Sequence, residues 1–263
     1  MATHTAPILD RIVEARRARV ADFKASRQAS SVEEGAHAAP APRDFGRAIV
    51  GTRVTVIAEC KQRSPSGGVL RERYEPVDLA RRYAAGGAAA ISVLTEPQFF
   101  GGSLADLAAV RAAVQLPVLC KDFIVDPVQL WQARAAGADA VLLIVAVLDD
   151  DALPSLHAVA VELGMTALVE VHSEPEVERA LAVRPAVIGI NNRDLTRMKT
   201  DPATSSRLRP LIPRDRAVIS ESGIQTREDV AAVGRIGING VLVGEALLRA
   251  GDLDAKIREL TGQ

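Results

Sequence analysis

Aromatic side chains are scarce in this chain, at 3% with one Trp, two Tyr and five Phe in 263 residues. A core of stacked rings is therefore excluded, and burial falls to Ala, Val, Ile and Leu. Cysteine is scarcer: Cys60 and Cys120 cannot form a disulfide framework, and His4, His37, His157 and His172 show no metal-ligand spacing. No metal and no organic cofactor is expected. Charge of one sign is also missing, since the formal net charge is -1, so nucleic acid is not an expected partner. No apolar run approaches the roughly 20 residues that cross a bilayer, and the first residues lack a signal-peptide core. The expectation is a cytoplasmic protein without a membrane partner, its oligomeric state open with a monomer favoured.

Charge appears instead at particular places. Val56-Ile57-Ala58-Glu59-Cys60-Lys61 reads as a buried strand that acquires charge at its C-terminal end. Glu59 and Lys61 lie two apart and so share one face of a strand. A carboxylate and an ammonium on the inner face of an apolar strand must pair or act on something. Four other apolar runs end alike, in Lys121, Glu170, Asn191 and Glu221. Alternation turns Cys60 and Cys120 to the opposite face, as buried structural thiols.

Between the strands, helical spacing of apolar residues predicts helices over 78–85, 104–114, 127–136, 150–163, 174–181, 226–233 and 246–260. Eight strands alternating with helices imply a parallel sheet and, over about 210 residues, an α/β fold closed as a (β/α)8 TIM barrel. Active sites of that fold lie at the C-terminal ends of the strands, where the Glu, Lys and Asn residues gather. An open doubly wound sheet would bind at one switch point instead of drawing on most strands. Residues 1–50 stand outside the repeat as an N-terminal helical extension of one domain spanning 1–263, with the barrel over 51–263. Within the extension, residues 8–24 read as a basic amphipathic helix that packs on the barrel. Residues 26–42 read as a mobile linker, and residues 44–50 as a short helix capping the barrel's bottom or mouth.

The ordered blocks Ile57-Ala58-Glu59-Cys60-Lys61 with Ser64-Pro65-Ser66-Gly67, Leu119-Cys120-Lys121-Asp122-Phe123, Leu168-Val169-Glu170-Val171-His172, Ile188-Gly189-Ile190-Asn191-Asn192-Arg193, Ser220-Glu221-Ser222-Gly223 and Val243-Gly244-Glu245 resemble the indole-3-glycerol phosphate synthase family of tryptophan biosynthesis. The resemblance runs through the whole barrel and includes the extension. It implies a carboxy-lyase that closes the indole ring of 1-(2-carboxyphenylamino)-1-deoxyribulose 5-phosphate. Lys121 then resembles the general acid for ring closure, and Glu59, Lys61 and Glu170 the groups that handle dehydration. Asn191 and Glu221 resemble residues that orient the substrate's hydroxyls and the lysine. Ser64 and Arg193 resemble helpers near the anthranilate carboxylate. Pro65, Phe100, Phe123, Leu142 and Leu195 match positions lining the aromatic slot.

Ser222-Gly223 and Gly244-Glu245 follow consecutive strands, where barrels bind phosphate with loop amides. At Glu245 only the backbone is expected to touch the anion. The loops 64–73 and 95–103 carry the Gly and charge of movable lids. A phosphosugar isomerase, a lysine Schiff-base enzyme using Lys121 and a noncatalytic sugar-phosphate-binding barrel remain as alternatives.

Overall fold

The computed structural model describes residues 7–26, 29–65, 67–194 and 199–263. Eight strands form a closed barrel: β1 (Thr55–Cys60), β2 (Ala90–Leu94), β3 (Val118–Lys121), β4 (Ala140–Ile144), β5 (Thr166–Val171), β6 (Val187–Asn191), β7 (Ala217–Glu221) and β8 (Gly240–Val243). Each pairs in parallel with its sequence neighbours, and β8 closes on β1. The fold is thus the expected (β/α)8 barrel. Strand periodicity divides the core in two. Val56, Ala58, Cys60, Val93, Cys120, Val141 and Val169 face the helices, whereas Ile57, Leu119, Leu142, Leu168, Ile219 and Leu242 fill the barrel interior.

Three helices precede the barrel, α1 (Ile8–Lys24), α2 (Ala29–Ala38) and α3 (Phe45–Ile49). Leu9 and Ile12 of α1 pack with the interior cluster, and Arg16 pairs with Asp122 at 3.0 Å, one residue past Lys121. That contact sets α1 at the mouth. Phe45 and Ile49 of α3 are fully buried with Ile57, Ala90, Ala140, Val187 and Ile219, residues from the early part of the strands, so α3 plugs the bottom.

Between these two helices the linker expectation fails. Residues 29–38 form α2 against α7 (Pro127–Ala135). Gly35 lies flush on Ala135, Ala36 is buried, and the buried Arg134 of α7 donates to the carbonyls of Ala39 and Pro40. Small residues that look like linker in a sequence here form a helix packed on the outer layer.

The outer layer continues with α4 (Pro76–Ala85), α5 (Pro97–Phe100), α6 (Leu104–Ala113), α8 (Ala152–Glu162), α9 (Glu174–Ala182), α10 (Ala203–Leu208), α11 (Arg227–Arg235), α12 (Glu245–Leu248) and α13 (Leu253–Thr261). The one helix expected over 246–260 is two. Gly251 follows α12, and Asp252 caps α13 by accepting from Ala255 N at 3.0 Å. Helix α10 went unpredicted because Thr204 and Ser205 are its buried residues along with Leu208, which leaves no apolar period to detect. Among the described residues no helix is long and apolar enough to cross a membrane.

Candidate active site

Inward positions change from apolar to ionic along each strand. On β1, Ile57 is followed by Glu59 and then Lys61, whose Nζ lies 2.6 Å from Glu59 Oε1. Leu119 on β3 is followed by Lys121, which donates to Glu221 Oε2 and lies 3.3 Å from Glu170 Oε2. On β5, Leu168 is followed by Glu170, and His172 lies just past the strand's end, outside the cavity lining. The residues from β1, β3, β5, β6 and β7 meet in one cavity of about 1070 Å³. Among the described residues every predicted site position lines it, and Leu195 lies outside them.

One ammonium between two buried carboxylates cannot neutralise both. Burial opposes charge on Lys121, but Glu221, Glu170 and Glu59 outweigh it and hold the ammonium above its ordinary range. Burial also works against ionised Glu170, yet Lys121 and His172 keep it well below the ordinary carboxylate range. Glu221 takes the remainder: burial pushes it up to about 7, with Lys121 pulling down and Glu170 pushing further up. Of the two carboxylates on Lys121, Glu221 is thus the more readily protonated.

Above the charges the walls are apolar. Phe100 and Phe123 lie with ring centroids 5.9 Å apart and tilted by 32°, and Leu94, Leu142, Ile144 and Pro65 complete that side. The loop bearing Ser64 is tied to the one after β2, since Arg63 Nη2 donates to the carbonyls of Pro97 and Gln98 at 3.0 and 2.8 Å.

At the opposite side, Ser222 and Gly223 both take left-handed backbone, with φ of 64° and 84°, a rare conformation for serine. Ser222 Oγ donates to Asn191 Oδ1 at 2.9 Å, and Asn192 Nδ2 donates to the Ser222 carbonyl at 2.9 Å. Gly244 lies beside this turn in the same cavity. An apolar wall, a lysine with its carboxylates and a glycine-lined turn therefore line one cavity.

The sequence model of the family described as indole-3-glycerol phosphate synthase matches residues 9–260. The chain belongs to the indole-3-glycerol phosphate synthase family. It is 51% identical to the indole-3-glycerol phosphate synthase of a Nocardioides species over 97% of this chain and 98% of that one. It is 46% identical to the indole-3-glycerol phosphate synthase 2 of Ralstonia nicotianae, over 96% of each. A solved chain described as "Native KDPGal structure" aligns with a TM-score of 0.59 at 18% identity, over 81% of this chain and 95% of that one, a likeness of fold alone.

Against the expectations for an indole-3-glycerol phosphate synthase, three positions carry additional duties. Ser64 Oγ accepts from Gly67 N at 3.0 Å and so shapes its own loop. Arg193 is expected near the anthranilate carboxylate, but its Nη2 lies 3.5 Å from Glu245 Oε2. Glu245 itself turns to Arg193 and to Arg249, 2.9 Å away, which removes its charge from the turn. The residue that sequence reasoning passed over is His172. It lies two past Glu170, hence on the same face, and four before Glu176, a spacing that carried the signal.

Proposed function

We propose that this chain performs its indole-3-glycerol phosphate synthase chemistry between Lys121 and the Glu59–Lys61 pair. The enzyme is a carboxy-lyase of tryptophan biosynthesis, converting 1-(2-carboxyphenylamino)-1-deoxyribulose 5-phosphate to indole-3-glycerol phosphate. The substrate's ring occupies the slot of Phe100, Phe123, Leu142 and Pro65, and its phosphate meets the amides of Gly223, Gly244 and Glu245. The ring carbon bearing the carboxylate then attacks the ketone carbon. The carbonyl oxygen gains the Lys121 proton as the new carbon–carbon bond forms. Loss of carbon dioxide returns its bonding electrons to the ring. Departure of the new hydroxyl as water, with a proton supplied by one member of the Glu59, Lys61 and Glu170 group and a carbon-bound proton taken by another, completes the indole.

The observation that carries this reading is the placing of Lys121, an inward ammonium held by Glu170 and Glu221 in the cavity that Phe100, Phe123 and Leu142 also line. Lys121→Met is the test, read by indole fluorescence with the carboxyphenylamino-deoxyribulose phosphate. Turnover is expected to fall by roughly 10²- to 10⁴-fold in a protein that still melts cooperatively and still binds substrate. Parent-level turnover in that variant overturns the assignment.

The same reading takes residues 1–263 as one domain. The burial of Leu9 and Ile12 against the barrel interior supports it. It also places a monomer in the cytoplasm, in keeping with two unpaired cysteines.

A further inference from the structure

Glu170 presents two oxygens to two different partners. Oε2 faces Lys121 at 3.3 Å, and Oε1 faces His172 Nε2 at 3.2 Å. Both atoms are buried and neither makes a well-aligned hydrogen bond, so their approach is an ion-pair contact that needs charge on the ring. The far ring nitrogen, Nδ1, lies 3.0 Å from Glu176 Oε2. Glu176, in the first turn of α9, also accepts from His172 N at 2.9 Å and from Ser173 Oγ at 3.1 Å, so its carboxylate is fixed on both oxygens.

A neutral imidazole donates from one nitrogen only, and an ionised carboxylate only accepts. A histidine with a carboxylate at each nitrogen therefore satisfies both only as the doubly protonated cation. Zinc sites use an outer carboxylate to fix a histidine in a comparable way. Here the histidine's inner partner is a carboxylate.

We propose that His172 and Glu176 are positioning residues, a cation and its anchor that hold the Glu170 carboxylate by Oε1 so that Oε2 stays aimed at Lys121 and the substrate. This rests on the catalytic reading of Glu170. Besides His172, Lys121 from β3 and Glu221 from β7 act on Glu170, Asn191 approaches from β6, and Glu59 with Lys61 lines the same cavity from the end of β1. Two of the three carboxylates compete for the one Lys121 ammonium, so a second cation behind Glu170 decides which of them stays ionised. The electrostatics agree: burial disfavours the charged ring, but Glu170 and Glu176 prevail and raise His172 to about 10. Loss of the cation leaves Glu170 held by Lys121 and Asn191 and easier to protonate.

The test combines nitrogen-resolved NMR of the parent enzyme with kcat–pH profiles of His172→Gln and Glu176→Gln. His172 resonances, assigned by difference against His172→Gln, are expected to show both ring nitrogens protonated at pH 8. Both variants should lose roughly ten- to hundredfold in kcat with KM within about twofold, and the acid limb of kcat should move up by about one unit. The double variant should be no worse than His172→Gln alone, since the two act as a unit. Because Glu176 is less buried than the strand, its variant keeps the test open if His172→Gln folds poorly. An ordinary His172 titration between pH 6 and 7, or unshifted profiles in both folded variants, overturns the clamp. Parent-level turnover in Glu170→Gln instead overturns the catalytic reading beneath it.

Discussion

At the scale of single residues, glycines decide where the ionic groups fit. A Cβ on Gly189 would strike the Glu221 carboxylate, and one on Gly244 would strike that of Glu59. Besides the phosphate contact proposed for it, Gly244 leaves bare the space that Glu59 occupies. Gly244→Val should accordingly raise KM and lower kcat together, roughly tenfold or more each, as Glu59 is pushed from Lys61. Glu245→Gln should change KM by only about twofold, because it loosens half-exposed ion pairs to Arg193 and Arg249 worth about 0–1 kcal/mol. Inorganic phosphate titrated as a competitive inhibitor separates the effects. If Gly244→Val binds phosphate as tightly as the parent, the phosphate lies elsewhere.

Among the secondary-structure elements, the extension is two devices in one segment. Helix α1 lies at the mouth and reaches the residue after Lys121 through Arg16 and Asp122, where Thr95 Oγ1 also donates to Asp122 at 2.7 Å. Helix α2 is part of the outer layer, and the Ala39 and Pro40 carbonyls just after it satisfy Arg134, which is only 3% exposed. Removing residues 1–28 should therefore lower turnover more than stability. Extending the deletion to residue 42 strands the Arg134 guanidinium, at about 1–3 kcal/mol for a buried unsatisfied donor, and should lower Tm by a further several degrees, roughly 2–4 °C per kcal/mol. Melting curves and steady-state kinetics on both truncations check this. Equal Tm for the two deletions would show that α2 adds nothing to the fold.

For the molecule as a whole, closure matters most. A sealed parallel barrel has no free edge, and Cys60 and Cys120 lie between its outer face and the helices. Burial pushes the Cys120 thiol up to about 12 and the Cys60 thiol higher, so neither forms the nucleophilic thiolate at ordinary pH. Both thiols should resist a disulfide reagent at pH 8 in the native enzyme and react at the rate of global unfolding in denaturant. Fast labelling of either thiol without loss of structure would mean that the helix layer opens locally.

The barrel and its rim were legible in the chain because alternation and position are local properties. Glu59 with Lys61, and the run-ending Lys121, Glu170, Asn191 and Glu221, announce a polar rim by standing at the ends of apolar runs, and the ordered motifs extend that to a family. Pairing across the barrel is not local. Which carboxylate Lys121 holds, why His172 needs both Glu170 and Glu176, and why Gly244 must be bare depend on distances between strands far apart in sequence, such as the 100 residues separating Lys121 from Glu221. The helix at 29–38 went unseen for the same reason, since its small residues gain meaning only when α7 lies against them. The sequence alone determined the barrel, the set of ionic residues at its mouth and the family. Tertiary structure decided their partners and protonation, because desolvation and Coulomb energy are set by neighbours in space.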